Sequence, residues 1–217
     1  MVKRLLVLLL WLTVPLPVWS DDAALCDAAA QRASAATGVP LKILMAITRV
    51  ETGRDSGRGL QPWPWAINRA GDGTWYDTAD QAIAAATDAL AEGARNFDVG
   101  CFQVNHRWHG EAFPSLEAMF DPDTNADYAA RFLVQLFADK GNWADAVSAY
   151  HSNTEEYATA YLARIKDVVN AELGGPSMTQ DPDLPRVNAY PLLNGGQAGS
   201  AGSIVPVVML AQPLIGG

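Results

Sequence analysis

One glutamate, Glu51, ends a strongly apolar stretch and has the surroundings of a proton donor. Residues 40–54 read PLKILMAITRVETGR, and their apolar side chains recur at helical spacings that nearly ring a buried helix. Glu51 shares a helix face with Leu44 and Ile47. Burial and the negative end of the helix dipole both disfavour a carboxylate, so we expect the raised pKa that a general acid needs. A solvated glutamate in a frayed last turn is the alternative that this helix alone leaves open.

Other side chains that could support chemistry are carboxylates and imidazoles. If Glu51 acts as a general acid, a second carboxylic acid could be its partner, and the candidates are Asp55, Asp72, Asp77 and Asp98. Asp98 lies in an FDVG segment, where a turn or capping role is more typical. The three histidines, His106, His109 and His151, lack the spacing and regular scaffold of a zinc site. We predict no metal and no cofactor.

The elements that must position these residues are mostly helical. Over residues 55–77 the composition shifts to Gly, Pro, Asn and aromatic residues, and Gly71-Asp72-Gly73 predicts a hairpin turn. The segment FDVGCFQVNHRWHG at residues 97–110 predicts a structured loop or short extended segment. The fold class is therefore all-α, a single domain over residues 21–173 with one small ribbon-like insertion. The predicted helices cover residues 22–38, 40–54, 78–96, 121–141, 142–150 and 155–173.

The two ends of the chain carry different signals. Residues 1–20 combine Lys3 and Arg4 with an apolar run and a cut site before Asp21, which predicts a secretory signal peptide and export rather than a membrane anchor. Its removal leaves 13 basic and 24 acidic residues, a net charge of −11, which disfavours nucleic-acid binding. Residues 174–217 are rich in Pro and Gly and predict a disordered tail, with strand addition to a partner as the alternative.

Cys26 and Cys101 are the only cysteines. An even number in an exported chain predicts one disulfide, which would contribute about 4 kcal/mol in the chain-entropy model. Two buried free thiols are the alternative.

Three short motifs in order carry a family resemblance: VETG at residues 50–53, GCFQVN at residues 100–105 and SAYH at residues 148–151. Together they resemble the SLT-domain lytic transglycosylases, lysozyme-like enzymes that cut peptidoglycan, over about residues 26–166. The family pattern is a helix ending in Glu-Ser, then Gly-x-Met-Gln-x-Asn, then Ala-Tyr-Asn. Thr52, Phe102 and His151 depart from it, and the histidine in place of an asparagine is the largest chemical change.

The resemblance implies a lysozyme-like α+β variant of the helical fold, with Glu51 as the single catalytic acid and base. It implies substrate contacts from Gln103, Asn105 and Tyr150, with Thr52, Phe102 and His151 at the matching positions beside them. For Asn105 a structural role in the loop is the stronger expectation. Trp63, Trp65, Trp75 and Trp108 could stack on sugars or form a small core under the loop.

The implied function is a periplasmic lytic transglycosylase that cuts between N-acetylmuramic acid and N-acetylglucosamine and leaves 1,6-anhydro ends. Its partner is the glycan strand of peptidoglycan. A hydrolytic muramidase on the same fold is one alternative. A non-catalytic peptidoglycan-binding component of an envelope-spanning apparatus, using the tail, is another.

Overall fold

A computed structural model of the chain describes residues 22–55, 57 and 59–174. The predicted signal peptide and tail therefore lie outside the described residues. The helices are α1 (Asp22–Thr37), α2 (Leu41–Thr52), α3 (Ala79–Ala91), α4 (His106–His109), α5 (Leu116–Phe120), α6 (Pro122–Lys140), α7 (Trp143–His151) and α8 (Glu155–Glu172). The strands are β1 (Arg54–Asp55), β2 (Leu60–Gln61), β3 (Ala66–Arg69), β4 (Asp72–Trp75), β5 (Asp98–Val99) and β6 (Val104–Asn105). This mostly helical domain with a small antiparallel sheet confirms the predicted fold class.

Local sequence signals explain where the long helices begin and end. The Asp121 side chain accepts a hydrogen bond from the Thr124 N–H at the start of α6, and Gly141 ends that helix in the left-handed region with a φ of 82°. Thr78 caps α3 by accepting from the Gln81 N–H. All six predicted helices are present. The two short helices α4 and α5 were not predicted.

The sheet joins the ribbon insertion to the motif segment. Its four strands run in the order β4-β3-β5-β6, all antiparallel, and β1 pairs with β2 in a separate ribbon. In the β3–β5 pair Asn68 lies opposite Asp98, and in the β5–β6 pair Asp98 lies opposite Asn105. The pairing therefore fixes the position of Asp98 relative to Asn68 of β3 and to β6, the strand that follows Gln103.

The core forms where α1 packs on α2 and α6, and where α8 packs on α2 and α7. Arg49 of α2 is 7% exposed and makes two hydrogen bonds to Asp27 of α1, at 2.7 and 2.9 Å. A disulfide joins Cys26 of α1 to Cys101, with Cα atoms 5.6 Å apart, as predicted. The apolar helix that ends on Glu51 is therefore held on several sides.

Gly53 ends α2 with an extended backbone. Its φ is −60° and its ψ is 130°, while its N–H donates to the Arg49 carbonyl at 3.0 Å. A Cβ at this position would overlap that same carbonyl oxygen. Glycine is needed here because the backbone passes so close to the preceding turn, and the chain can then leave the helix directly after Thr52. Within the described residues, no helix combines the length and apolar character needed to cross a membrane.

Candidate active site

A cavity of about 420 Å³ opens beside the end of α2, and Glu51 lines it. Several predicted site residues share this cavity with Glu51: Gln103, Asn105, Tyr150 and His151. The remaining walls come from the β3–β4 hairpin, from residues 96–109 and from helix α6. They are formed by Asn68, Ala70, Gly71, Asn96, Asp98, Val104, Trp108, His109, Tyr128 and Phe132. Residues that are distant in sequence thus surround one carboxylate.

The electrostatic setting of Glu51 favours its acid form. Burial raises its pKa from the ordinary 4.5 to about 7, and the negative charge of Asp98 adds to the rise. The Tyr161 hydroxyl and the Arg164 guanidinium lower the pKa, but burial outweighs them. The side chain is thus an acid of near-neutral pKa at the wall of a cavity, a combination typical of a proton donor that can also accept the proton back.

Tyr161 of α8 is a neighbour of Glu51 that the sequence did not identify. Its side chain is fully buried, and its hydroxyl has no hydrogen-bond partner of standard geometry among the described residues. That hydroxyl nevertheless lies near the Glu51 carboxyl group, where it opposes part of the rise in the pKa of Glu51. Burial raises the pKa of Tyr161 well above its usual value, so it stays protonated as a donor. The sequence showed only an inward-facing tyrosine on an amphipathic helix.

Asp98 places a second carboxyl group in the same cavity. It lies in β5 and accepts a hydrogen bond from the Asn105 amide at 2.7 Å. Burial raises the pKa of Asp98, and the Asn105 hydrogen bond opposes that rise. Asp98 is therefore a strand residue beside Glu51 rather than the turn or cap residue that its FDVG context suggested.

The loop between β5 and β6 is shaped by a buried amide, Asn125 of α6. The Asn125 side chain accepts from the Phe102 N–H at 2.9 Å and donates to the Val99 and Met119 carbonyls. Gly100, with a φ of 79°, passes so close to this amide that a Cβ there would collide with it. The sequence contained no signal for this role, because nothing local distinguishes Asn125 from other polar residues of α6.

Gln103 lines the cavity and has an unusual backbone conformation. Its φ is 47°, in the left-handed region that non-glycine residues seldom adopt. Its side-chain amide donates to the carbonyls of Ala66 and Gly100, at 3.2 and 3.0 Å. The side-chain carbonyl is then the part of Gln103 that can accept a hydrogen bond from a ligand.

Two predicted contact residues, Thr52 and Phe102, are buried and do not line the cavity. The Thr52 hydroxyl donates to the Thr48 carbonyl and accepts from the Trp63 N–H. Phe102 packs in the core. Both therefore support the cavity wall from behind rather than facing a ligand.

Asn105 lies at the cavity, but its hydrogen bonds are structural. Its amide donates to Asn96 and Asp98, while its carbonyl accepts from the N–H groups of Arg107 and Trp108 at the start of α4. These four bonds join the loop before β5, strand β5 and the start of α4.

Tyr150 and His151 come from the end of α7. The Tyr150 hydroxyl donates to the Phe102 carbonyl at 2.8 Å, and burial together with the Glu51 charge raises its pKa well above the usual value. The exposed His151 ring stacks on the Tyr161 ring, with centroids 4.5 Å apart and planes 3° apart. Tyr150 thus bonds to the motif loop, and His151 contacts the residue that acts on Glu51.

The four clustered tryptophans have different positions. Trp108 is 70% exposed and lines the cavity. The Trp63 indole donates to the Tyr76 carbonyl and the Trp75 indole to the Thr52 carbonyl, while Trp65 packs against the core. Of these four, only Trp108 presents its ring to the cavity, and the others stabilise the ribbon.

The histidines have separate structural contacts. A His109 ring nitrogen lies 2.7 Å from the Tyr128 hydroxyl, and the His106 ring stacks on Phe97. No group of three or more His, Cys, Asp or Glu side chains that could hold a metal ion occurs among the described residues.

These features define a mostly helical, lysozyme-like domain with an acidic residue in its cleft. The family model described as the transglycosylase SLT domain matches residues 28–161, more than half of the chain. The chain therefore belongs to the SLT transglycosylase domain family, a family of lytic transglycosylases that act on peptidoglycan. Comparison with curated proteins and with solved structures found no match.

Proposed function

We propose that this protein is a lytic transglycosylase that cleaves the β-1,4 bond between N-acetylmuramic acid and N-acetylglucosamine and leaves 1,6-anhydro ends. The observation that carries the proposal is Glu51, an acid with a pKa of about 7 in the cleft of an SLT domain. Its substrate, peptidoglycan, lies outside the cytoplasm, and the Cys26–Cys101 disulfide fits an oxidising compartment. We place the mature protein in the periplasm.

In the first step Glu51 acts as general acid. Its carboxyl proton passes to the glycosidic oxygen as the bond from that oxygen to C1 of the muramic sugar breaks, and positive charge develops on the ring. The acid form is available near neutral pH because burial holds the Glu51 pKa close to 7. The carboxylate that results lies beside the charged ring and stabilises it.

In the second step the same carboxylate acts as general base. It removes the proton from the C6 hydroxyl of the muramic sugar, and the C6 oxygen bonds to C1 to close the anhydro ring. Glu51 recovers its proton, and no water is consumed. An internal hydroxyl held near C1 has a high effective molarity, so one enzyme carboxylate suffices.

The cavity supplies groups suited to a glycan. The Gln103 carbonyl can accept from the N–H of an N-acetyl group, because its amide protons are engaged by backbone carbonyls. The exposed Trp108 ring offers an apolar face to a sugar ring. Tyr150 holds the Gln103 loop through the Phe102 carbonyl.

The test is cleavage of purified sacculi by wild type and Glu51→Gln. We expect the amide, which cannot donate the carboxyl proton, to reduce cleavage by about 10²–10⁴-fold while glycan binding and folding are retained. The matched control is Glu156→Gln, the same change at an exposed position of α8. If neither wild type nor variant cleared sacculi, the protein would instead be a binding component of an envelope apparatus.

The rival function is that of a hydrolytic muramidase. It is favoured by the position of Asp98, which lines the same cavity as Glu51, because a hydrolase that cleaves sugars normally uses a second carboxylate. Mass spectrometry of the products separates the two. Anhydro-ended muropeptides that persist in Asp98→Asn support the transglycosylase. Reducing ends one water heavier would contradict it.

A further inference from the structure

His151 and Tyr161 form a parallel ring stack at the edge of the cavity. Their planes differ by 3° and their centroids are 4.5 Å apart, which is an offset parallel stack. His151 ends α7 and is exposed, whereas Tyr161 belongs to α8 and is fully buried. The imidazole therefore covers one face of the phenol ring on the side that faces the cavity.

Packing around the buried Tyr161 ring restrains the direction of its hydroxyl. That hydroxyl has no hydrogen-bond partner of standard geometry within the part of the chain that the structure describes. The Arg164 guanidinium also lies over the ring, 5.5 Å from its centroid. The direction in which the hydroxyl points thus depends on the core packing around the ring, and His151 is an aromatic ring that stacks directly on it.

We propose, building on the function proposed above, that His151 is a positioning residue. Its ring holds Tyr161 so that the phenol hydroxyl faces the Glu51 carboxylate and donates a hydrogen bond to it when that carboxylate is charged. The charged form arises after the proton has passed to the leaving sugar. His151 therefore acts on the second step through Tyr161 and does not touch the reacting atoms.

The surroundings of the ring stack favour the neutral form of the His151 imidazole. One part of the His151 ring is exposed and the other is covered; this partial burial, and then the positive charge of Arg164, lowers the pKa of His151, so near neutral pH the ring is uncharged. A neutral ring stacks on a phenol without adding positive charge beside Glu51. The SLT family pattern has an asparagine at the position of His151. That side chain has no ring and would leave this face of Tyr161 uncovered.

Other groups also act on Glu51, and the test must separate them from His151. Asp98 of β5 faces it across the cavity, while the Tyr150 hydroxyl of α7 and Arg164 of α8 lie close enough to interact electrostatically. None of these is part of the ring stack. A double-mutant cycle between positions 151 and 161 isolates the stack, because contributions from the other groups cancel.

The experiment measures the Glu51 pKa by carbon-13 NMR of its carboxyl group in wild type, His151→Ala, Tyr161→Phe and the double variant. Tyr161→Phe removes the hydroxyl that lowers the Glu51 pKa, so this pKa rises. We expect His151→Ala to raise it in the same direction, and the double variant to show no more than the Tyr161→Phe shift. His151→Phe, which keeps the ring, should titrate like wild type.

Sacculus cleavage gives the second readout. We expect kcat/KM to fall about 10-fold in His151→Ala, the loss of about one hydrogen bond to a charged group, and to recover in His151→Phe. Additive pKa shifts, an unchanged or lowered pKa in His151→Ala, or failure of His151→Phe to recover would each overturn the proposal. The NMR titration needs no turnover. A wild type that fails to cleave sacculi would therefore refute the proposed function and leave the titration to decide on His151.

Discussion

Glu51 links the stability of the fold to pH. Its pKa is about 7 in the folded protein and 4.5 without that environment, so between these values the folded state binds the proton more tightly. The contribution of Glu51 to the free energy of unfolding is therefore highest below pH 4.5, falls as pH rises, and reaches its full penalty above pH 7. The residue that we propose as the catalytic acid and base therefore costs stability at neutral and alkaline pH.

We therefore predict that Glu51→Gln stabilises the protein at pH 8 by about 1–3 kcal/mol and has little effect at pH 4. Urea unfolding at the two pH values measures the difference. Glu156→Gln, which changes an exposed glutamate of α8, should leave the free energy of unfolding within a few tenths of a kcal/mol. An equal effect of Glu51→Gln at both pH values would contradict the burial of this carboxylate.

Trp108 is the exposed aromatic residue of the cavity wall. We predict that Trp108→Ala, made in the inactive Glu51→Gln background, raises the Kd for N-acetylglucosamine oligomers about 10-fold, which corresponds to about 1.4 kcal/mol. Calorimetric titration measures it. Tyr157→Ala is the matched control, because Tyr157 is 60% exposed but lies outside the cavity. Equal Kd values for Trp108→Ala and its parent would exclude sugar stacking at this position.

At the scale of elements, the junction after α2 decides where Glu51 lies. Gly53 lets the chain pass against the Arg49 carbonyl, and a Cβ there would collide with backbone. We predict that Gly53→Ala lowers the free energy of unfolding by about 1–3 kcal/mol and reduces cleavage, because the last turn of α2 must shift. Thermal unfolding and sacculus clearing measure the two effects.

Gly73 provides the control for this glycine. The nearest atom to a Cβ at Gly73 is 3.9 Å away, which is ordinary contact, and its backbone is outside the left-handed region. Gly73→Ala should therefore leave stability and cleavage close to wild type. If the two alanine variants behaved alike, the close approach at Gly53 would not be what holds the end of α2.

The long helices could be predicted because their signals are local. Asp121-Pro122 and Gly141 mark the two ends of α6 within the helix itself. Helix α4 has four residues and α5 has five, so neither spans enough turns for a hydrophobic period to be visible. Elements of that length depend on the surrounding fold.

The candidate site was predictable only in part. Glu51 was identified from its own helix and the resemblance, and the structure brings Gln103 and Tyr150 to the same cavity. The contact with Tyr161 depends on the packing of α8 against α2. The role of Asn125 depends on α6 meeting the motif loop. Such contacts join residues far apart in sequence, and no local pattern encodes them.

At the scale of the whole molecule, one covalent bond ties the first helix to the motif loop. The Cys26–Cys101 disulfide closes a loop with a sequence separation of 75 residues. We predict that the Cys26→Ala, Cys101→Ala double variant loses about 4 kcal/mol of stability, measured by urea unfolding. Added reductant should not destabilise the double variant further. A variant as stable as the oxidised wild type would contradict a stabilising role for the bond.

The left-handed backbone of Gln103 brings two kinds of selection into conflict at one position. Glycine would adopt a φ of 47° without steric cost but would lose the two hydrogen bonds of the Gln103 amide, so a population selected only for heat resistance should accumulate glycine at 103 if the relief of strain exceeds the loss of those bonds. Lineages that must process their cell wall would retain the amide despite its conformational cost. Sequencing position 103 after laboratory evolution under each regime would show which demand has shaped this turn.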